Sequence, residues 1–553
     1  MKSPFRATLA AALALALAGA VTSCASPSSS SASSSSPDDD WITYLEPQMF
    51  RTLYPPAAGF YPNGGVVNQI TDRLLYQDPE TLQLSPWIAT DLPKVNADAT
   101  EYTFDIRTDV TYSDGTPLTA ENVVANFDLY GKGDKSRTLN SSEQITNYDH
   151  GEVVDDDTVK FYFSAPSPGF AQATAGYNAG LVADSTLQLD NEGFAPGNAE
   201  AVIGSGPFVI TGETLNTALD LTARDDYNWA PPAARHQGPA RLDGIHYRLA
   251  AEESTRAGAL VSDQAQIARQ VSAPVEKQLE AQGINIIARG TNSMNNQLAF
   301  RFNHPILKDK RVRDAIMNGI NREEIMRILF SPTYPLATST VAATGLGYKD
   351  QSAAYSYAPE RAKALLDEAG WVPGEDGIRV KDGQRLALRV NTALPQPRSK
   401  EVQTMVQEDM RELGIEWLIN AGDQATQNAD AKDIDKIQVY HSMVGRADYD
   451  AIHSLYSVTN RDAFLNQDAD GNPIDQHLED LLTTVISSPS DAERQQATED
   501  VQDYITEQSY SLPLFEEPVV YAVAPYLKGF SPEAVARPWF YEAYIDHAAK
   551  EAQ

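Results

Sequence analysis

Eight histidines are scattered along a chain of 553 residues. None stands in the HExxH spacing that places two imidazoles on one helix face to hold zinc. No GxSxG turn presents a serine nucleophile, and no glycine-rich phosphate loop precedes a lysine. Metal-assisted hydrolysis, acyl transfer through serine and nucleotide hydrolysis therefore lack their parts, and no catalytic residue, cofactor or metal is expected. One stretch comes nearest to a metal site. Asn466, Asp468, Asp470, Gly471 and Asn472 follow the first half of a calcium loop, in which alternate oxygens converge on the ion. The twelfth position is His477 and not a bidentate glutamate, so a solvated loop is the expected form.

The one cysteine, Cys24, leaves no intramolecular disulfide and no thiolate cluster to build. Lys2 and Arg6 precede an uncharged, alanine- and leucine-rich run from Ala7 to Ala20. That run is shorter than the roughly 20 residues that span a bilayer, as in an export signal. Val21-Thr22-Ser23-Cys24 resembles the bacterial lipobox, which implies that residues 1–23 are removed and that Cys24 carries the lipid. From Ala25 to Asp40 the serines, prolines and aspartates have nothing to bury, so residues 24–40 read as a tether. The expectation is a protein held by acyl chains to the extracytoplasmic face of the cell membrane.

The 76 acidic and 43 basic residues give a net charge of -33, which repels a phosphate backbone and excludes nucleic acid as a partner. Hydrophobic residues at 42% and charged residues at 22% are the supply of an ordinary globular protein, and the length calls for more than one lobe.

Several elements are legible locally. Tyr102, Phe104 and Ile106, and again Val159, Phe161 and Phe163, alternate as on half-buried strands. Asp114-Gly115 signals a tight turn, and Thr119 is placed to cap a helix. Val402, Met405, Val406, Met410 and Leu413 form a helical stripe between Ser399, read as N-cap, and Gly414. Pro359 to Ala369 reads as a helix ended by Gly370, and Ser490 to Glu493 reads as a capping box. Leu512 to Phe515 and Val519 to Val523 read as returning strands.

Taken in order, these segments resemble the family 5 solute-binding proteins of ATP-driven importers, the group of dipeptide, oligopeptide and nickel binders. The likeness runs through Leu84-Ser85-Pro86-Trp87-Ile88-Ala89, Tyr102 to Arg107, Asp114 to Val123, Gly204-Ser205-Gly206-Pro207-Phe208 and Asp226-Tyr227-Asn228-Trp229. It continues through Phe302-Asn303, Arg311 to Ile316, Asn321 to Ile325 and Ala362 to Trp371. The resemblance implies an α/β, two-lobed, periplasmic-binding-protein-like fold of type II in its large family 5 form, with an extra subdomain in the first lobe. Residues 41–296 would form that lobe, 297–510 the second, and 511–553 would return to the first, with crossovers near Asn296 and Ser511. Such a protein acts as a monomer beside permease subunits, capturing a small, peptide-like ligand between the lobes. An opine, a sugar derivative or a metal chelate is also open, as are a peptide-binding sensor or chaperone and a hydrolase on the same scaffold.

The same resemblance implies site residues. Peptide binders of the family place an aspartate, matched here by Asp448, to pair with the ligand's α-amino group. Arg446, two residues away, would either neutralise Asp448 or hold a ligand carboxylate, with Tyr449 beside them. Dipeptide binders carry an arginine before the helix that begins near Ser399; Arg398 is close to that position but out of register. Ala358 stands where relatives carry a capping aspartate. Two aromatic groups, Tyr54, Phe60 and Tyr61, and Trp539, Phe540 and Tyr541, are candidate cleft linings, with Tyr61 the favoured contact because Pro62-Asn63-Gly64-Gly65 reads as a loop.

Overall fold

Alternation decides the first elements. On the strand Glu101–Asp105 the side chains of Tyr102 and Phe104 are buried, and on Thr158–Phe163 those of Val159, Phe161 and Phe163 are. The two strands pair antiparallel with Phe104 opposite Val159, so both apolar rows meet on one face. With Lys94–Val95 and Tyr148–Asp155 they form a four-stranded sheet packed on the helix Ala120–Lys132. Thr119 caps that helix, its hydroxyl accepting from the Asn122 amide at 3.3 Å. This is the extra subdomain of the first lobe. The computed structural model describes residues 40–552 apart from 394, 395, 397, 460–464 and 469; Cys24, the export signal and the tether before Asp40 lie outside the described residues.

Two larger sheets carry the lobes. Among the described residues the first has seven strands, in the order Asn285–Gly290, Pro518–Val523, Ile267–Arg269, Trp41–Glu46, Gly244–Leu249, Ala218–Ala223 and Phe208–Thr214. Trp41–Glu46 runs parallel to both its neighbours, while Pro518–Val523 returns antiparallel between Ile267–Arg269 and Asn285–Gly290. That returning strand is buried along its whole length, which is why it reads as an unbroken apolar run. The second sheet has five strands, ordered Glu416–Asn420, Ala387–Asn391, Val439–Val444, Met294–Phe300 and Ser511–Phe515. Both sheets alternate in sequence with helices, as a mixed α/β architecture requires.

The helices obey their sequence signals with two exceptions. Pro62-Asn63-Gly64-Gly65, read as a loop, is the buried first part of the helix Tyr61–Ile70, which Pro62 can open because the first turn needs no amide donor from it. Ser490 and Glu493 form the reciprocal capping box of the helix Asp491–Gln508, and Pro359–Glu368 begins on its proline without a side-chain cap from Ala358. Ser399, however, does not cap the helix Ser399–Glu412. Arg398 holds the N-cap position with φ of 55°, and the Ser399 hydroxyl accepts from the Ala393 amide at 2.9 Å and lies 2.9 Å from Nδ1 of His441. A tertiary partner takes the oxygen that local capping would use. Burial lowers the His441 imidazole to about 4, so it is neutral at physiological pH.

The chain passes from the first large sheet to the second between Gly290 and Met294, and back between Phe515 and Pro518. Glu517 sits in the return passage, its carboxylate accepting from Asn296 Nδ2 at 2.6 Å. Burial raises its carboxyl from 4.5 to about 7 against the pull of Asn296 and Arg269. An acid whose folded value is raised binds its proton more tightly when folded, so ionising it costs stability. That cost is absent below the ordinary value of 4.5 and complete above about 7. Glu517→Gln should therefore remove a fall in stability between those two pH values, worth up to about 3 kcal/mol. Denaturant titrations at the two ends of the window check this: the variant should match wild type at the acid end and exceed it at the alkaline end.

Candidate functional site

Asp448 lies between the strand Val439–Val444 and the helix Ala451–Tyr456 of the second lobe. The loop before that helix leaves the sheet at its C-terminal edge, where α/β proteins present ligands. Its carboxylate is not free. Asp448 Oδ1 accepts from Arg494 Nη2 at 2.7 Å, and Asp450 Oδ1 accepts from the same nitrogen at 2.5 Å. The Arg494 side chain is wholly buried, Asp448 is 8% exposed and Asp450 17%. The guanidinium also stacks 4.8 Å from the Tyr449 ring centre. One guanidinium thus faces two carboxylates, and its Nη1 has no partner among the described residues. Burial pushes the Asp448 carboxyl up to about 6, with Asp450 adding to the rise and Arg494 opposing it.

The first lobe meets this cluster directly. Gly169 approaches so closely that a Cβ there would stand 2.7 Å from Asp450 Oδ2 and 2.8 Å from Asp448 Oδ2. Gln77 donates through Nε2 to the Ala447 carbonyl at 3.0 Å, and Ala447 packs on the first-lobe core. Beside these contacts lies a small cleft between the lobes. Its first-lobe wall includes Gln77, Gln172, Tyr177 and Glu533, and its second-lobe wall is Gly445 to Asp448. Polar groups from two lobes converging on one concavity are the usual form of a small-molecule site.

Arg446 lines this cleft but does not neutralise Asp448 by contact. Its Nη1 donates to Ser454 Oγ at 2.7 Å, and its Nη2 is 3.8 Å from Glu143 of the first lobe. The counter-ion of Asp448 is Arg494, 46 residues further along. Tyr449 packs beneath that arginine. Tyr61 and Arg398 stand outside the cleft wall. Tyr61 opens the helix Tyr61–Ile70 with its ring 3.8 Å from the Arg537 guanidinium, and Arg398 donates to the Leu329 carbonyl at 3.3 Å. Tyr54, Trp539, Phe540 and Tyr541 belong to the first-lobe core, while Phe60 lies against Arg51.

The calcium-like stretch is a turn closed by its own aspartate. Asp468 Oδ1 accepts from the amides of Asp470 and Asn472 at 2.9 and 2.8 Å. Among the described residues no group of three or more His, Cys, Asp or Glu side chains is placed to hold a metal. No helix among them is long and apolar enough to cross a membrane.

Sequence reasoning missed Arg494, Gln77, Gln172 and Glu533. Arg494 left a signal. It precedes Ala497, Val501 and Ile505 on the buried face of its helix, and a charge on an apolar stripe needs a buried partner. The others left none, because they come from three separate segments.

Residues 83–463 match the bacterial extracellular solute-binding proteins, family 5 Middle. The glutathione-binding protein GsiB of Escherichia coli (strain K12) is 23% identical over 491 residues, covering 87% of this chain and 90% of that protein. NikA from Brucella suis, solved with Fe(III)-EDTA, shares the fold at a TM-score of 0.77 and 23% identity, over 92% of this chain and all of that one. DppA from Helicobacter pylori, solved with the peptide STSA, aligns at 0.72 and 18% identity, over 92% and 98%.

Removing one member of a buried pair strands the other charge. Arg494→Met should therefore lower the unfolding free energy by about 3–5 kcal/mol, while Lys94→Met, which breaks the exposed pair with Asp105, should cost under about 1 kcal/mol. Chemical denaturation of the two variants in parallel makes the comparison.

Proposed function

The chain belongs to the bacterial extracellular solute-binding proteins of family 5, and from that premise we propose that it captures a small amine-bearing, peptide-like solute for an ATP-driven importer. Proteins of this family bind solutes and are not enzymes, and this chain serves as the substrate-binding component beside permease subunits. The observation that supports an amine-bearing ligand is the Asp448 carboxylate, which stands at the cleft wall between the lobes and shares one guanidinium with Asp450. Relatives named for glutathione and solved with a peptide are consistent with this class.

Capture works by desolvation. Open lobes expose Asp448 to water, and closing them over a ligand removes water from the carboxylate and the ammonium together. A charge-assisted hydrogen bond made there contributes more than one at the surface. Opening at the permease restores water to both groups, and the bond loses that advantage. We further propose that the protein works as a monomer, tethered to the outer face of the membrane through a lipid on Cys24.

Two experiments test these readings. Asp448→Asn keeps the shape and removes the charge, so it should weaken an amine-bearing ligand by about 2–5 kcal/mol. It also takes a charged acceptor from Arg494, so the empty protein should lose about 1–3 kcal/mol of stability. Calorimetry with the molecule retained on purification measures the first effect, and affinity within twofold of wild type would remove Asp448 from the site. For the anchor, Cys24→Ala protein should leave the membrane fraction; a variant that still sediments with membranes contradicts lipidation.

A further inference from the structure

The cleft beside Asp448 is unbalanced in hydrogen bonding. Several of its donors are already committed to the protein: Gln77 Nε2 to the Ala447 carbonyl, Arg446 Nη1 to Ser454, Gln144 Nε2 to Asn178 Oδ1 at 3.1 Å, and Asn178 Nδ2 to the carbonyls of Pro55 and Pro56, while Arg446 Nη2 stands 3.8 Å from Glu143. Its acceptors are not. The side-chain oxygen of Gln172 is shut away from solvent and has no partner among the described residues. Asp448 shares its one arginine with Asp450.

Glu533 is the third acceptor. It enters the cleft from the C-terminal return segment, and its two oxygens accept only from backbone, the amides of Arg537 at 2.7 Å and Val535 at 3.2 Å. The Arg73 and Arg537 guanidinia lie near enough to act on it through space. Neither forms an ion pair with it among the described residues: Arg73 donates to Asn68, and Arg537 to the carbonyls of Gly59 and Val535 and to the Tyr177 hydroxyl. Each carboxylate oxygen has lone pairs beyond those that backbone amides use.

An ammonium or guanidinium group offers several N–H donors and no acceptor. It is the group that these three acceptors can hold, whereas a carboxylate set against Gln172, Glu533 and Asp448 would face oxygen from both lobes. We propose that Glu533 and Gln172 of the first lobe join Asp448 of the second to form a three-acceptor subsite. A single cationic nitrogen group of the solute fills it and bridges the lobes, making that cation the feature for which the protein selects. This rests on the reading of the chain as a solute-binding protein and adds the first-lobe half of the selection. Gln172 and Glu533 act as specificity residues, since an amine held by Asp448 alone would bind one lobe and give closure nothing.

The test is a melting-temperature and calorimetric comparison of wild type, Glu533→Gln and Gln172→Met with three probes: a mixed tripeptide pool, the same pool N-acetylated, and millimolar 1,4-diaminobutane. Gln172→Met is nearly isosteric and loses no protein hydrogen bond through its side-chain oxygen, so it guards against a folding defect in Glu533→Gln. The proposal expects the free-amine pool to stabilise wild type, the acetylated pool to do so at least about tenfold more weakly, and each variant to lose about tenfold in affinity for the free-amine pool. Equal response to both pools, or variants that bind like wild type, overturns the subsite and leaves the peptide reading standing. If neither pool binds, the peptide reading falls. The diamine then decides the subsite: stabilisation that both variants lose upholds it, and no response to the diamine overturns it.

Discussion

A buried guanidinium held between two carboxylates at the meeting of the lobes is the constraint around which the site is organised. Arg494 is inaccessible to water, and so the charges it faces must be satisfied by the protein or by something that enters. With Asp448 and Asp450 it can satisfy one negative charge and part of another. The remainder sits at the cleft wall. Gly169 of the first lobe closes on the same cluster without a side chain, because any Cβ would collide with both carboxylates. The two lobes are thus shaped to meet over an incompletely paired charge.

The strands on either side of the passages make such a meeting compatible with motion. Only short segments, near residues 291–293 and 516–517, join the two large sheets, and the buried pair of Asn296 and Glu517 lies across them. Few backbone torsions need to change for one sheet to rotate against the other, which is how hinge closure works in binding proteins. Each sheet is braced within its own lobe. In the first, Arg269 and Glu46 form a buried ion pair at 2.8 Å, and Tyr227 and Trp229 both donate to the buried Asp72. Rigid lobes and a soft junction turn ligand contacts into closure.

What the sequence disclosed followed the range of each interaction. Strand alternation at Tyr102 and Phe104, the cap at Thr119 and the box at Ser490 and Glu493 depend on neighbours within a few residues, and each is present in the structure. Ser399 was misread because its hydroxyl meets His441, 42 residues away, instead of the helix it precedes. Asp448 was named through family resemblance, but the Arg494 that pairs with it lies 46 residues further on and on another element. Spacing left Arg446 either to neutralise Asp448 or to hold a ligand carboxylate, and in the structure it turns to Ser454 and toward Glu143. Gln77, Gln172 and Glu533 reach one cleft from distant parts of the chain, and no local pattern marks a residue for that.

The central claim is that the solute is enclosed between the lobes against Asp448, and a crystal structure of the protein grown with a mixed tripeptide pool tests it most directly. The account predicts ordered ligand density between Glu533 and Gln172 on one side and residues 445–448 on the other, with a nitrogen within hydrogen-bonding distance of the Asp448 carboxylate. Ligand density at any other surface, with this cleft holding only solvent, would contradict it.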